Sequence, residues 1–222
     1  MMSSLLTLPL FQGLTKEQLM NLLEKAIPEF ISVTDEPILR RGDRHDRILL
    51  ILKGRVTRSY TGPSRCTLRE LLCEGDIIEF TSLFGKSTRV LADYSAEGEV
   101  CLLAFDKRYM FTVFNRFDII QLNMLNLYCA HAQALHSKLT AAVGNSLASR
   151  FCHLVDTLSD NSYGPKQLIV PRTRLAELFG CSRRPMSAQI VAWENAGLVK
   201  VAYGQILIPD LSHLRQVLMA KE

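Results

Sequence analysis

RTRLAELFGCSRRPMSAQIVAWENAGLVKVAYGQILI, running from Arg172 to Ile208, is the stretch whose reading decides the fold. Arg174–Phe179 carries apolar Leu175, Ala176, Leu178 and Phe179 at helical spacing. Gly180 supplies the positive φ that ends a helix sharply. Ser182 suits the N-cap of a second helix, and Pro185 falls in its first turn, where a missing N–H costs nothing. Met186, Ile190 and Trp193 then repeat on one face. Asn195-Ala196-Gly197 stops that helix. The β-rich runs Leu198–Ala202 and Gln205–Ile208 flank Tyr203-Gly204, which reads as a hairpin. Helix, tight turn, helix and hairpin make a winged helix-turn-helix, a unit that offers the start of its second helix to the DNA major groove. Arg172, Thr173, Arg174, Ser182, Arg183, Arg184 and Ser187 are the candidate DNA-binding residues. The plainer alternative is a pair of packed helices with a solvated, charged turn.

Charge favours the DNA reading. Residues 165–222 hold 8 Lys/Arg against 4 acids, whereas residues 1–164 hold 18 of each sign. The whole formal excess of +4 therefore lies in the segment expected to meet phosphate. The chain of 222 residues is 48% apolar and 22% charged, a globular profile with room for two modest domains. No apolar run approaches the roughly 18 residues of a membrane span, and the first residues lack a signal-peptide pattern, so a cytoplasmic location without membrane partners is expected. The six cysteines form no CxxC pair and are expected to be free thiols in a reducing compartment. No Ser/His/Asp grouping, phosphate loop or metal-ligand spacing is present, so the chain is not expected to be an enzyme or to hold a metal.

The front of the chain reads differently. Pro9–Phe30 predicts a helix with Thr15 as a cap. From there to Phe105, short β-rich runs alternate with turn signals such as Lys53-Gly54 and Glu97-Gly98, the pattern of a sandwich or small barrel. The runs include Ile48–Leu52, Arg55–Tyr60, Ile77–Phe80 and Arg89–Tyr94. Asp118 then opens a helix expected to reach about Val143. Its residues Leu122, Leu125, Cys129, Ala132, His136, Leu139 and Val143 alternate steps of three and four, a heptad seam suited to a parallel homodimer. Another helix is expected over Ser146–Leu158, and Ser159–Pro165 reads as a turn-rich break. The expected class is α+β: an effector domain over residues 1–117 built on a jelly-roll β-barrel, a dimerisation helix over 118–145, and a winged helix-turn-helix domain over 146–222.

In this order the chain resembles the family of the catabolite activator protein and the fumarate–nitrate regulator. The resemblance rests on Arg41-Gly42-Asp43 with Ile48–Val56, on Glu74-Gly75-Asp76-Ile77-Ile78, on Ser82-Leu83-Phe84 and on Leu175–Leu198. It implies a bacterial transcription regulator that binds double-stranded DNA as a homodimer, contacts RNA polymerase and senses a small-molecule effector in its cyclic-nucleotide-binding-like barrel. The corresponding effector pocket is Glu79, Phe80, Arg89, Val90, Leu135 and His136. Where cyclic-AMP-binding members have Gly-Glu-Leu, this chain has Glu79-Phe80-Thr81. Where they have Arg-Ser it has Arg89-Val90, and Leu135-His136 stands in place of their Thr-Ser. Cyclic AMP is therefore not the expected effector. Nor is an iron–sulfur cluster, because residues 1–65 lack cysteine. The effector stays unassigned. Alternatives are a ligand-independent DNA binder with a filled barrel, and a haem- or redox-sensing regulator using His45, in its charged loop, with His131, His136 or the cysteines.

Overall fold

Helix α1, Lys16–Ala26, begins where the chain can close a capping box. Thr15 accepts from the Gln18 backbone N–H, and the Gln18 side chain accepts from the Thr15 N–H at 2.9 Å. The expected start at Pro9 is corrected by this cap, since residues 7–13 are turns. The computed structural model describes residues 5–140, 144–161 and 164–219, so Val143 of the expected seam lies outside the described residues. The chain folds as two compact units. The first comprises residues up to Thr57 together with Leu72–His136, and the second comprises Arg58–Leu71 together with Ser137 onward. The expected boundaries kept Arg58–Leu71 with the amino-terminal domain.

In the first unit, β1 (Glu29–Thr34) and β2 (Pro37–Leu39) pair antiparallel with β6 (Asp93–Asp106), from Glu29 opposite Ala104 to Thr34 opposite Glu99 for β1. The short β5 (Ile77–Ile78) pairs with β3 (Arg47–Thr61). Strand order runs β1-β6-β3, so the sheet is open and antiparallel, not the closed barrel expected. Lys53-Gly54 is no break. Gly54 has φ +95 inside a continuous strand, and a Cβ there would stand 2.5 Å from the Glu99 carbonyl oxygen. Arg89–Tyr94 forms no full strand. Arg89 makes an isolated bridge with Arg44, and β6 begins at Asp93. The core gathers Phe11, Leu19, Leu22, Ile48, Leu50, Phe105, Phe114 and Ile120, with Phe105 edge-on to Phe11 at 6.1 Å and to Phe114 at 5.3 Å. Short helix α2 (Tyr109–Thr112) leads to α3 (Asp118–Thr140), which the Asn123 amide fastens by donating to the carbonyls of Leu10 and Gln12.

The second unit is assembled from two distant stretches. β4 (Thr67–Leu72) pairs with β7 (Lys166–Ile169), which pairs with β9 (Gln205–Ile208) and then β8 (Lys200–Ala202). Helices α4 (Leu147–Leu158), α5 (Arg172–Leu178), α6 (Arg183–Asn195) and α7 (Leu211–Met219) cover a core of Cys66, Leu68, Phe151, Val155, Leu168, Leu175, Met186, Ile190, Trp193, Ile206 and Leu214. Beside it lies a buried ion cluster. The Glu70 carboxylate accepts from Arg58 at 2.6 Å, from Lys166 at 2.7 Å and from the Asp160 N–H at 2.7 Å. Burying a carboxylate is tolerable only with this degree of pairing.

Candidate nucleic-acid interface

The reading of Arg172–Ile208 turns on how α5 gives way to α6. Gly180 sits at φ +60, where an L side chain would be strained. Its N–H donates to the Glu177 carbonyl, and the Cys181 N–H donates to that of Ala176 at 3.0 Å. The freed Phe179 carbonyl accepts from Arg150 of α4 at 2.6 Å. Sequence reasoning missed this brace, because its partners stand 29 residues apart. Ser182 takes the extended N-cap conformation, although its hydroxyl closes no cap bond. Met186, Ile190 and Trp193 are buried, as the periodicity predicts, and Trp193 lies against Phe151 with ring centroids 4.8 Å apart. The hairpin is fixed to α6 by the Val201 N–H, which donates to the Glu194 carboxylate at 2.9 Å.

This leaves Thr173, Ser182, Arg183 and Arg184 exposed, with Arg172, Arg174 and Ser187 half-buried. Arg174 is engaged within the protein. It donates to the Ser64 carbonyl at 3.3 Å and pairs with Glu177 at 2.9 Å. Counted by compact unit, the charge asymmetry is sharper than by sequence position. The second unit holds 13 Lys/Arg against 7 acids, and the first 13 against 15.

Several of the residues expected around an effector make contacts within the chain. Glu79 is buried at φ +51, and its carboxylate accepts from the Tyr94 hydroxyl at 2.8 Å and from the Ser82 hydroxyl. Phe80 opens a 3-10 turn and stacks on Tyr128 of α3, with ring centroids 4.2 Å apart. Burial pushes the Tyr128 phenol up from its ordinary value, and its oxygen has no hydrogen-bond partner among the described residues. Arg89 and Val90 instead join the 42–44 turn. The Arg89 guanidinium donates to the Gly42 carbonyl at 3.0 Å, and buried Val90 exchanges backbone bonds with Gly42 and Asp43. Leu135 and His136 are exposed on α3.

His45 departs from its expected place in a charged loop. It is buried, bonded to the Ile78 backbone, and its Nε2 has no partner. Desolvation lowers its pKa against the opposing pull of Glu79. His131 and His136 lie on a different element, α3. On that helix Ile120 and Met124 are buried, whereas Leu122, Leu125 and Leu139 are 51%, 58% and 84% exposed. Cys129, Ala132 and His136 are exposed between them. No group of three or more His, Cys, Asp or Glu among the described residues is placed to hold a metal ion. No helix among them is long and apolar enough to cross a membrane.

Comparison with known proteins gives the fold. The chain is similar to the crystal structure of the catabolite activator protein of Thermus thermophilus, at 20% identity over 96% of this chain and 99% of that one, with a TM-score of 0.52. It is also similar to the sensor domain of the transcriptional regulator DNR from Pseudomonas aeruginosa, at 17% identity over 65% of this chain and 94% of that one, with a TM-score of 0.50. No protein-family model matches the sequence, and no curated protein matches it. The fold is thus α+β with an open antiparallel sheet, and overall it is similar to the folds of these two structures.

Proposed function

We propose that the protein is a DNA-binding transcription regulator that acts as a homodimer. The observation that carries this reading is the α5–turn–α6–hairpin arrangement with Arg183 and Arg184 exposed at the start of α6, while Met186, Ile190 and Trp193 anchor the opposite face. That is the posture of a winged helix-turn-helix, in which the first residues of the second helix reach base edges. Arg183, Arg184 and Ser187 address bases. Arg172 and Thr173 address phosphates, and Arg174 braces the helix through Ser64 and Glu177. The exposed leucines of α3 supply the dimer contact. A two-fold pair would present two α6 helices to half-sites about one helical turn apart. RNA polymerase is the further partner this role implies.

A second reading concerns the first unit. Phe80 stacks on Tyr128, Glu79 is held by two hydroxyls and Arg89 donates to the Gly42 carbonyl, so these side chains are taken up within the chain. That favours DNA binding without cyclic AMP.

Selection of bound sequences from randomised duplex DNA tests the main reading. The wild-type chain enriches a two-fold half-site, and Arg183→Ala relaxes one position of it at a cost of about 1–3 kcal/mol. An unchanged preference in Arg183→Ala removes Arg183 from the recognition surface. Failure of the wild-type chain to enrich any sequence overturns the proposed function.

A further inference from the structure

The loop joining β3 to β4 lies far from α5 in sequence but touches it in the second unit. The Arg174 Nε donates to the Ser64 carbonyl, and β4 pairs with β7 from Thr67 opposite Ile169 onward. The loop itself is a tight five-residue connection, residues 62–66. The Arg65 N–H donates to the Gly62 carbonyl, and the Gly62 N–H donates to the Cys66 carbonyl, both at 3.0 Å. Pro63 and Ser64 form the turn, and Arg65 occupies the left-handed position that closes it, at φ +58. That position is the usual place of glycine, because a side chain with a Cβ is strained there. Here it carries an exposed arginine whose guanidinium has no hydrogen-bond or ion-pair partner among the described residues. Residues 60–67 contain this one cation and no acid.

A strained backbone holding an unpartnered cation beside α5 is explained by what the cation meets outside the chain. Resting on the DNA-binding reading above, we infer that Arg65 extends the nucleic-acid interface as a phosphate contact, alongside Arg172 and Thr173 of α5. The hairpin Arg58–Leu71 adds three arginines and one acid to the second unit, which strengthens the field that draws a polyanion to this face. Its contribution is to affinity and salt dependence. Base preference stays with α6.

Fluorescence anisotropy tests this with the full chain and the duplexes recovered in the selection, titrated between about 50 and 200 mM salt, the span over which phosphate contacts dominate the response. In Arg65→Ala and Arg65→Gly, the slope of log affinity against log salt becomes shallower by about 0.9, one phosphate contact, with the selected sequence unchanged. Arg65→Lys keeps the slope. Arg65→Gly also raises the thermal midpoint by roughly 2–4 °C, because glycine relieves the left-handed strain. A gain in fold stability with a loss in DNA affinity is not what a merely structural arginine gives. An unchanged slope in Arg65→Ala, while Arg183→Ala still relaxes the sequence, overturns the inference and leaves the proposed function standing. A fall in midpoint for Arg65→Gly overturns it too, since Arg65 is then holding the fold. If the wild-type chain enriches no sequence, both readings fall together.

Discussion

His45 shows how a single side chain acquires its chemistry from residues that are distant in sequence. Its neighbours Arg44, Asp46 and Arg47 make the local stretch look solvated, yet the backbone pairs with Thr88 and the imidazole is buried, bonded to the Ile78 backbone. Burial lowers its pKa below the ordinary 6.5, with Asp46 pulling with Glu79 and Lys107 against them. The folded state therefore binds the His45 proton less readily than the unfolded chain. Stability is fully present above pH 6.5 and is lost as the pH falls from there through the folded value, with a slope of at most about 1.4 kcal/mol per pH unit. His45→Gln should flatten that part of the profile in urea unfolding followed from pH 7 downward. An identical slope in the variant would assign the acid sensitivity elsewhere. Glu79 was equally hidden, because the Tyr94 hydroxyl that satisfies it stands 15 residues away on β6. The exposed arginines of α6, in contrast, were legible from the sequence, since Gly180 and the Met186, Ile190, Trp193 spacing fix their side of the helix locally.

Elements with their own periodicity or caps were the legible ones. α1 is set by a capping box, α3 by a heptad repeat, and α6 by its turn and apolar face. The hairpin of β8 and β9 was legible from its flanking runs, but β7 was not. β7, four residues in a turn-rich context, is a strand because β4 and β9 flank it. On α3, Leu125 and Leu139 are exposed in the single chain. Apolar residues so placed call for a partner surface, and a second copy of the same helix satisfies the a/d spacing. Leu125→Asp combined with Leu139→Asp should abolish the proposed dimer at micromolar concentration, because unpaired carboxylates would be desolvated at its seam. Light scattering reads this out. A doubly substituted chain that still scatters as a dimer would place the contact on another surface.

At the scale of the whole molecule, the domain boundary was the feature least visible in the sequence. Read linearly, the chain divides near residue 146; in space, Arg58–Leu71 belongs to the carboxy-terminal unit. Cys66 and Leu68 enter its core, β4 covers the edge of β7, and Glu70 supplies the carboxylate for Lys166, whose side chain is 1% exposed. A fragment of residues 146–222 would lack all three. Removing one partner of a buried ion pair alone costs about 3–5 kcal/mol. Whole domains are stable by only about 5–15 kcal/mol, and this fragment would also expose the β7 edge and the apolar surface under Leu68. It should therefore show no cooperative urea transition by circular dichroism. Glu70→Ala in the full chain should remain folded, with its transition displaced by the cost of the stranded lysine. A cooperative transition in the fragment close to that of the full chain would mean that the hairpin decorates the unit without completing it. The fold of α5 and α6 would then be self-sufficient. If the fragment fails as expected, those helices depend on a hairpin, Arg58–Leu71, encoded roughly a hundred residues earlier.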